Sequence, residues 1–244
     1  MSIFISRSID KLKGVKKQVD DPHRFAAMIK YLAAGIPLRY VEEFFSSAPK
    51  KSLSMRYEPV TDTFCRPPVD FMRAVIKPIL SNVTQWRSEG HNLLLYGPNG
   101  SGKTHSALYL MAQYISRDQE AYYSTFKEFY FLHNAVAKDM TTEEGDFYRA
   151  ILNVDLLVLD ELGKETHSEA VVAFLETIMK DRFYNKKQTI LITNLDVARE
   201  SDGTVKEFLK RYGNSCWDLV RQGYHIYLFS KKNDFRASER IEWQ

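Results

Sequence analysis

Eight consecutive residues decide the fold of this chain: Gly97-Pro98-Asn99-Gly100-Ser101-Gly102-Lys103-Thr104. They fill every fixed position of the pattern G-x-x-x-x-G-K-[ST], in which a strand passes through a glycine-rich loop into a helix. The apolar run Leu93–Tyr96 precedes these residues, and an apolar-periodic segment over Ala107–Ile115 follows them. The pattern therefore stands in the strand-loop-helix setting that it requires.

The three glycines of this loop let successive backbone N–H groups point inward at a phosphate, beside the positive end of the following helix. We expect Lys103 to reach the β- and γ-phosphates of a nucleotide and the Thr104 hydroxyl to contact Mg²⁺. The loop Gly97–Thr104, together with His105 directly after it, is predicted to hold a nucleotide. The alternative is a glycine-rich turn that binds nothing, which the flanking strand and helix disfavour.

A second chemical signal follows the apolar run Leu156–Leu159, which ends in Asp160 and Glu161. In a parallel sheet, ligands bind beyond the carboxyl ends of the strands, so both acids are expected beside the glycine-rich loop. Asp160 is predicted to hold Mg²⁺ from its outer shell, together with Thr104. Glu161 is predicted to be free to polarise a water aimed at the γ-phosphate. An adjacent acid pair favours hydrolysis, so a small-molecule kinase is the weaker alternative.

Two further polar groups complete the predicted site. The buried-strand pattern Thr189–Thr193 ends on Asn194, whose amide is able to donate to a γ-phosphate oxygen or to orient the same water. An arginine is also needed, because negative charge spreads over the γ-phosphate oxygens during transfer. The candidates are Arg211, Arg221 and Arg236, each of which has the alternative of being an ordinary surface arginine.

The rest of the chain alternates predicted strands with predicted helices. The strands are 93–96, 121–125, 156–159, 189–193 and 225–229; helical patterns cover 126–138, 168–183 and 204–221, the last with a break near Gly213. Alternation of this kind predicts an α/β fold with a five-stranded parallel sheet and helices on both faces.

The amino-terminal part predicts a short helical segment and then a connection. Asp21-Pro22 signals a helix start, and an apolar stripe follows at Phe25, Met28, Ile29, Leu32 and Ala33. The stripe packs either on its own domain or on a partner protein. Five prolines between residues 35 and 68 predict irregular chain, and a helical face bent at Pro78 follows. The predicted division is 1–35, a partner-binding segment; 36–68, a linker; and 69–244, the ATPase domain.

Composition restricts the class of protein. The 244 residues are 44% hydrophobic and 27% charged, as in soluble globular proteins. No apolar run approaches the roughly 20 residues that cross a bilayer, and no signal peptide is evident, so we expect a cytoplasmic protein. Cys65 and Cys216 suggest neither a disulfide nor a zinc site. Residues 1–35 carry a net charge of +4, which suits either a contact with phosphates or an acidic partner, or a solvated tail.

The ordered set Gly97–Thr104, Asp160-Glu161, Thr193-Asn194 and Asp234-Phe235-Arg236 resembles the AAA+ ATPases of the DnaC/DnaI helicase-loader group, with the IstB transposition helpers as close cousins. Gly35–Tyr40 also looks like the G-I-P-x-R-Y opening stretch of that group. The resemblance implies an ASCE-type P-loop sheet, ATP with Mg²⁺, self-association into an open spiral and contact with single-stranded DNA. It further implies delivery of a hexameric replicative helicase, which the amino-terminal segment grips, and it assigns Arg236 to the nucleotide of its own chain.

The chain departs from the group at two positions. Ser215 and Leu219 stand where arginines are expected, so that Arg221 becomes the candidate for acting on a neighbouring subunit's nucleotide. An aromatic-rich region, Phe126–Tyr148, suits either stacking on unpaired bases or core packing. Three functions stay open: a helicase loader, an IstB-like transposition helper, and a nucleotide-gated adaptor with little turnover.

Overall fold

The computed structural model describes residues 22–46, 71–81, 92–137, 139–197 and 207–229. Its centre is one five-stranded sheet with the strand order β2-β3-β4-β1-β5. The strands are β1 Asn92–Tyr96, β2 Ala121–Thr125, β3 Leu156–Leu162, β4 Gln188–Thr193 and β5 Tyr224–Leu228. Every pair of neighbouring strands is parallel. The predicted five-stranded parallel sheet is therefore confirmed.

The register of the strands brings their carboxyl ends to one edge. Tyr96 at the end of β1 lies opposite Thr193 on β4 and Leu228 on β5. Thr125 at the end of β2 lies opposite Asp160 on β3. Because parallel strands end at the same edge of a sheet, the polar residues that follow them share this edge.

Helices cover both faces of the sheet, as predicted. They are α1 Pro22–Ala33, α2 Leu38–Ser46, α3 Lys77–Ser81, α4 Lys103–Ile115, α5 Phe126–Val136, α6 Glu143–Asn153, α7 Glu169–Tyr184 and α8 Glu207–Gly223. Successive strand side chains point to opposite faces. Leu93 and Leu95 consequently join the core of α1, α3 and α4, whereas Leu94 and Leu157 join the core of α5, α6, α7 and α8.

Helix α1 packs on the sheet domain of its own chain. Met28 and Leu32 are each 3% exposed and share a core with α4. The Tyr31 hydroxyl lies 3.4 Å from the carbonyl oxygen of Ala112, to which it donates. Of the two alternatives for the apolar stripe, packing on its own domain is the one observed. The use of Met28 and Leu32 to grip a partner is wrong, because both side chains are already buried.

Helix α2 lies in the segment predicted to be irregular, and that prediction is wrong for residues 38–46. Pro37 directly precedes the helix, and its carbonyl oxygen accepts from the backbone N–H groups of Tyr40 and Val41. Proline is tolerated at a helix start, where its missing N–H costs nothing. Val41 is fully buried. The division of the chain at residues 35 and 68 stays a prediction.

A π-helical turn over Met72–Ile76 leads into α3. The disturbance lies next to Pro78, which cannot donate to the helical ladder. Val75, Ile76 and Ile79 are nevertheless buried in the core with α4. Across the described ranges, no helix is both long and apolar enough to cross a bilayer.

Arg182, near the end of α7, is fully buried and stabilises the sheet at the beginnings of β3 and β4, away from the carboxyl ends of the strands. Its guanidinium donates to the carbonyl oxygens of Leu152, Val154 and Gln188 at 2.7, 3.2 and 2.5 Å, and to the Thr189 hydroxyl at 3.0 Å. Burial lowers the pKa of Arg182 to about 10. One cation thus joins α7, the connection between α6 and β3, and the start of β4.

Candidate nucleotide-binding site

The glycine-rich loop has the backbone that its sequence predicts. Gly97, Gly100 and Gly102 have φ angles of 137°, 78° and 91°, a region that favours glycine. A Cβ atom on Gly97 would lie 2.2 Å from the carbonyl oxygen of Phe229, directly after β5. Gly102 is the residue that precedes the first turn of α4. The loop therefore tolerates no side chain at its first position, and it places the amino terminus of α4 beside the phosphate-binding space.

Lys103 lies inside the loop. Its side chain is largely buried, and Nζ donates to the carbonyl oxygens of Gly97 and Pro98 at 2.8 and 2.7 Å. The Ser101 hydroxyl donates to the same Pro98 oxygen at 2.8 Å. The ammonium group is thus held by neutral carbonyl oxygens, and a phosphate would compete for it with full negative charge.

Thr104 and Asp160 meet across the gap between α4 and β3. The Thr104 hydroxyl donates to Oδ2 of Asp160 at 2.7 Å, and the Tyr123 hydroxyl on β2 donates to the same oxygen at 3.1 Å. Oδ1 accepts from the backbone N–H of Glu161 at 2.6 Å. Burial raises the pKa of Asp160 above its usual range, although these three hydrogen bonds oppose the shift.

The pair Thr104 and Asp160 fits a magnesium ion. Both supply oxygen atoms, the ligand type that Mg²⁺ takes, and a hydrogen bond joins the two side chains. Among the residues that the structure describes, no group of three or more His, Cys, Asp or Glu side chains is able to hold a metal alone. A cation held beside these two residues would also need ligands from phosphate oxygens and water.

Glu161 stands in an unusual backbone conformation. Its φ is 62°, and the register between β3 and β4 shifts between Leu159 and Leu162. The carboxylate is paired with Lys164, whose Nζ lies 2.6 Å from Oε1, and the glutamate side chain is 44% exposed. The Glu161 carboxylate thus lies at the predicted edge of the sheet, where it is paired with a lysine; its role in polarising a water stays a prediction.

Asn194 reaches the glycine-rich loop. Its Nδ2 donates to Oδ1 of Asn99 at 2.8 Å. The preceding residue anchors this position, because the Thr193 hydroxyl donates to the Leu162 carbonyl oxygen at 2.8 Å and accepts from the Leu195 N–H at 3.0 Å. The ends of β1, β3 and β4 thus bring Lys103, Asp160 and Asn194 to one edge, as the sequence predicts.

The three candidate arginines lie in different places. Arg211 in α8 is tied to Glu165, whose Oε1 accepts from Nε at 2.9 Å. Arg221 is exposed in the last turn of α8, next to the start of β5, where Tyr224 pairs with Asn92. A strand of this length spans about 16 Å, so Arg221 lies at the edge away from the loop. Arg236 falls outside the described residues. His105 is half-buried, with its ring centroid 6.2 Å from that of Tyr40.

The two positions that lack the expected arginines differ in their exposure to solvent. Ser215 is exposed, and its hydroxyl donates to Oε1 of Glu176 on α7 at 2.5 Å. Leu219 is 6% exposed and belongs to the core. An arginine would therefore reach solvent from position 215 but not from position 219.

Most of the aromatic region is core. Phe126 and Phe129 are buried, as are Phe147 and Tyr148, and Tyr130 packs against the same core. Phe131 is the exception at 58% exposed, with the Lys127 ammonium 5.6 Å from its ring centroid. Of the six aromatics that the sequence singled out, Phe131 is the one that presents most of its ring to solvent.

Three residues of the site were missed from the sequence: Tyr123, Lys164 and Glu165. Tyr123 contacts Asp160 because β2 lies beside β3, and strand order has no local sequence signal. Lys164 follows Glu161 by three residues, a spacing at which a turn brings side chains together. Glu165 depends on a contact with a distant helix.

The comparisons with known proteins agree with this geometry. The chain is 23% identical to the replicative helicase loader DnaC of Escherichia coli (strain K12) over 146 residues, which is 60% of this chain and 56% of that protein. It is 28% identical to an insertion-sequence IS21-like ATP-binding protein of Bacteroides fragilis over 164 residues, 64% of this chain and 60% of that protein. The chain thus spans less than two thirds of the length of each relative.

Solved structures show the same fold. The crystal structure of the DnaC helicase loader matches with a TM-score of 0.54 at 25% identity, covering 66% of this chain and 91% of that one. The structure of AMPPCP-bound DnaA from Aquifex aeolicus matches with a TM-score of 0.51 at 21% identity, covering 69% and 50%. These neighbours are AAA+ P-loop ATPases. The family model for the IstB-like ATP binding protein matches residues 74–205, more than half of the chain, and this chain belongs to that family.

Proposed function

We propose that this chain is an ATP-dependent loader that binds a hexameric replicative DNA helicase and delivers it onto single-stranded DNA during replication initiation. The observation that carries the proposal is the double match to DnaC, in sequence and in a structure of which the aligned region covers 91%. Membership of an ATP-binding family supports the part of the proposal that concerns ATP binding. The helicase, the DNA and the hydrolysis of ATP are parts of the proposal.

The residues of the candidate site suit ATP hydrolysis. In the proposed reaction the loop Gly97–Thr104 binds the phosphates through its N–H groups, and Lys103 leaves its carbonyl partners to contact the β- and γ-oxygens. Bound Mg²⁺ would neutralise phosphate charge next to Thr104 and Asp160. Asn194 orients the attacking water or the γ-phosphate. Glu161 accepts a proton from that water after it separates from Lys164.

The partner contacts belong to other parts of the chain. We propose that the segment 1–35 contacts the helicase through residues other than the buried Met28 and Leu32. Phe131 and Lys127 are the exposed aromatic and cationic pair best suited to an unpaired base and its phosphate. Arg221 lies too far from its own nucleotide edge, so in a spiral of copies it would act on a neighbour's ATP.

A loading assay tests the proposal. The purified chain is mixed with the replicative helicase of its host and with closed circular single-stranded DNA, and helicase bound to DNA is counted. We expect loading to require ATP and to fail with Lys103→Ala. Lys180→Ala, which changes an exposed lysine on α7, serves as the matched control and should load normally. Full loading by Lys103→Ala would exclude nucleotide-driven loading.

An IstB-like transposition helper is the second candidate. It is favoured by the family model and by the Bacteroides fragilis relative, whose identity of 28% exceeds the 23% of DnaC. Tight ATP-dependent binding to duplex DNA, with stimulation of a transposase and no binding to the helicase, would select this function.

A nucleotide-gated adaptor is the third candidate. It is favoured by the pairing of Glu161 with Lys164 and by the serine and leucine at positions 215 and 219. Steady-state phosphate release decides this question. Hydrolysis that Glu161→Gln strongly reduces, while nucleotide binding persists, would exclude an adaptor without turnover.

A further inference from the structure

Glu165 is a buried carboxylate between two elements of the site. Its side chain is 3% exposed. Oε2 accepts from the backbone N–H of Gly163 at 2.9 Å, and Oε1 accepts from Arg211 Nε at 2.9 Å and from the Tyr212 hydroxyl at 2.7 Å. Arg211 also donates through Nη2 to the backbone carbonyl oxygen of Glu165. Removing one partner of a buried ion pair is strongly destabilising, because it leaves the other charge buried and uncompensated.

The same carboxylate fixes the turn that carries Glu161. The backbone N–H of Lys164 donates to the carbonyl oxygen of Glu161 at 3.1 Å, which closes the turn. Glu161 and Gly163 both have positive φ angles, 62° and 98°. Left-handed backbone at a residue other than glycine persists only where the surroundings enforce it. The bonds from Glu165 to Gly163 and to α8 provide that enforcement.

We propose that Glu165 and Arg211 are positioning residues for Glu161: together they hold the turn 161–164 in the geometry that aims the Glu161 carboxylate at the attacking water. The inference rests on the proposed hydrolysis of ATP. It gives Arg211, a candidate for contact with the nucleotide, a different role within its own chain. It also makes α8 a structural partner of the β3 turn, since Arg211 and Tyr212 both belong to that helix.

This role separates turnover from nucleotide binding. In the proposed reaction Lys103, Thr104 and Asn99 bind the nucleotide from α4 and the loop, where they bond to Gly97 and Pro98, to Asp160 and to Asn194, respectively. Loss of the Glu165 network should therefore leave ATP affinity within about twofold. A displacement of the carboxylate by about 1 Å can lower the rate by about 100-fold. We expect kcat to fall by about 10- to 100-fold and KM to stay nearly constant.

The test compares Glu165→Gln, Arg211→Lys and Tyr212→Phe with the wild type. Glu165→Gln removes the charge and keeps the shape, whereas Arg211→Lys keeps the cation and loses the two-point contact. Tyr212→Phe removes a single hydroxyl and should have the smallest effect. Ser215→Ala is the matched control on the same helix, because Ser215 bonds to α7 instead of the turn. Fluorescent-nucleotide titration gives affinity, steady-state phosphate release gives kcat and KM, and thermal unfolding confirms folding.

A double variant tests whether Glu165 affects the rate of hydrolysis through Glu161. If Glu165 acts through Glu161, then adding Glu165→Gln to Glu161→Gln should not lower the residual rate further. Additive loss in the double variant would overturn the inference, as would a folded Glu165→Gln or Arg211→Lys protein with kcat within twofold of wild type. A wild-type chain that hydrolyses no ATP, with DNA or without it, would instead overturn the proposed function and this inference with it.

Discussion

Nζ of Lys164 lies 2.6 Å from Oε1 of Glu161, and the two residues are three apart in one turn at the end of β3. The pair is about half exposed, so water screens it and its strength is small. A carboxylate that accepts a proton from water has to give up such a partner. The lysine therefore restrains the glutamate weakly while no nucleotide is being hydrolysed.

Replacing Lys164 with alanine should raise basal hydrolysis. Exposed ion pairs contribute little, so we expect kcat for ATP to rise by only about two- to fivefold, with unchanged nucleotide affinity. Steady-state phosphate release measures this rise, and Lys164→Arg, which retains the charge, provides the control. A fall in kcat for Lys164→Ala would mean that the lysine assists the reaction.

Alanine at Gly97 should disrupt the loop more than alanine at Gly213. Both positions have positive φ, 137° and 76°, but a Cβ at Gly97 meets the Phe229 carbonyl oxygen at 2.2 Å, whereas at Gly213 nothing lies within 4 Å. Gly213→Ala should cost about 1–3 kcal/mol of stability from backbone strain alone. Gly97→Ala adds a steric clash and should exceed that cost. Urea unfolding gives both values, and nucleotide titration should show lost binding for Gly97→Ala only.

Methionine at position 182 should destabilise the fold strongly. It would fill similar space but leave the acceptors at Leu152, Val154, Gln188 and Thr189 without their donor. We expect a loss of about 3–5 kcal/mol in the free energy of unfolding, measured in urea. Lys180→Met on the exposed side of the same helix should leave the unfolding midpoint unchanged. An equal midpoint for both variants would contradict the structural role of Arg182.

The fold should tolerate an arginine at position 215, whereas an arginine at position 219 should destabilise it. Ser215 is exposed beside Glu176, so Ser215→Arg should fold with the stability of the wild type. Leu219 is 6% exposed, and Leu219→Arg would bury an unpaired charge at a cost of more than about 3 kcal/mol. Circular dichroism during urea unfolding distinguishes the two. If a neighbouring subunit needs this arginine, Ser215→Arg should also raise ATP turnover at high protein concentration.

Cys216 should resist alkylation in the folded protein. It is fully buried, and burial raises the pKa of the thiol to about 12, so the reactive thiolate is scarce at neutral pH. The unfolded thiol ionises near pH 9, so this group lowers stability as the pH rises above that value. In a Cys65→Ser background, iodoacetamide at pH 8 should add no mass to the native chain and one group to the urea-unfolded chain.

Sequence patterns predicted the chemical edge of the sheet well, because its determinants are local. The loop pattern, the buried run before Asp160 and the buried run before Asn194 each sit within a few residues of the group they position. A parallel sheet then brings their ends together without further information. The helix break near Gly213 was likewise predicted, since its positive φ is a property of one residue.

Other features depend on contacts that no local pattern records. Helix α6 was not predicted, although Thr142 caps it and Glu143 opens it, because its apolar residues are few and face a core contributed by α5 and α7. The network around Glu165 joins residues 46 positions apart in the chain. Helix α2 was missed because its proline precedes the first turn instead of interrupting it.

The bonds of Arg182 have a mechanical consequence. The beginnings of β3 and β4 and the end of α7 are joined by hydrogen bonds to this one cation, whereas the amino-terminal end of α7 follows the turn that carries Glu161. If α7 changes its direction, its carboxyl-terminal end should therefore stay in place at Arg182. Its amino-terminal end at Glu169 should move the most.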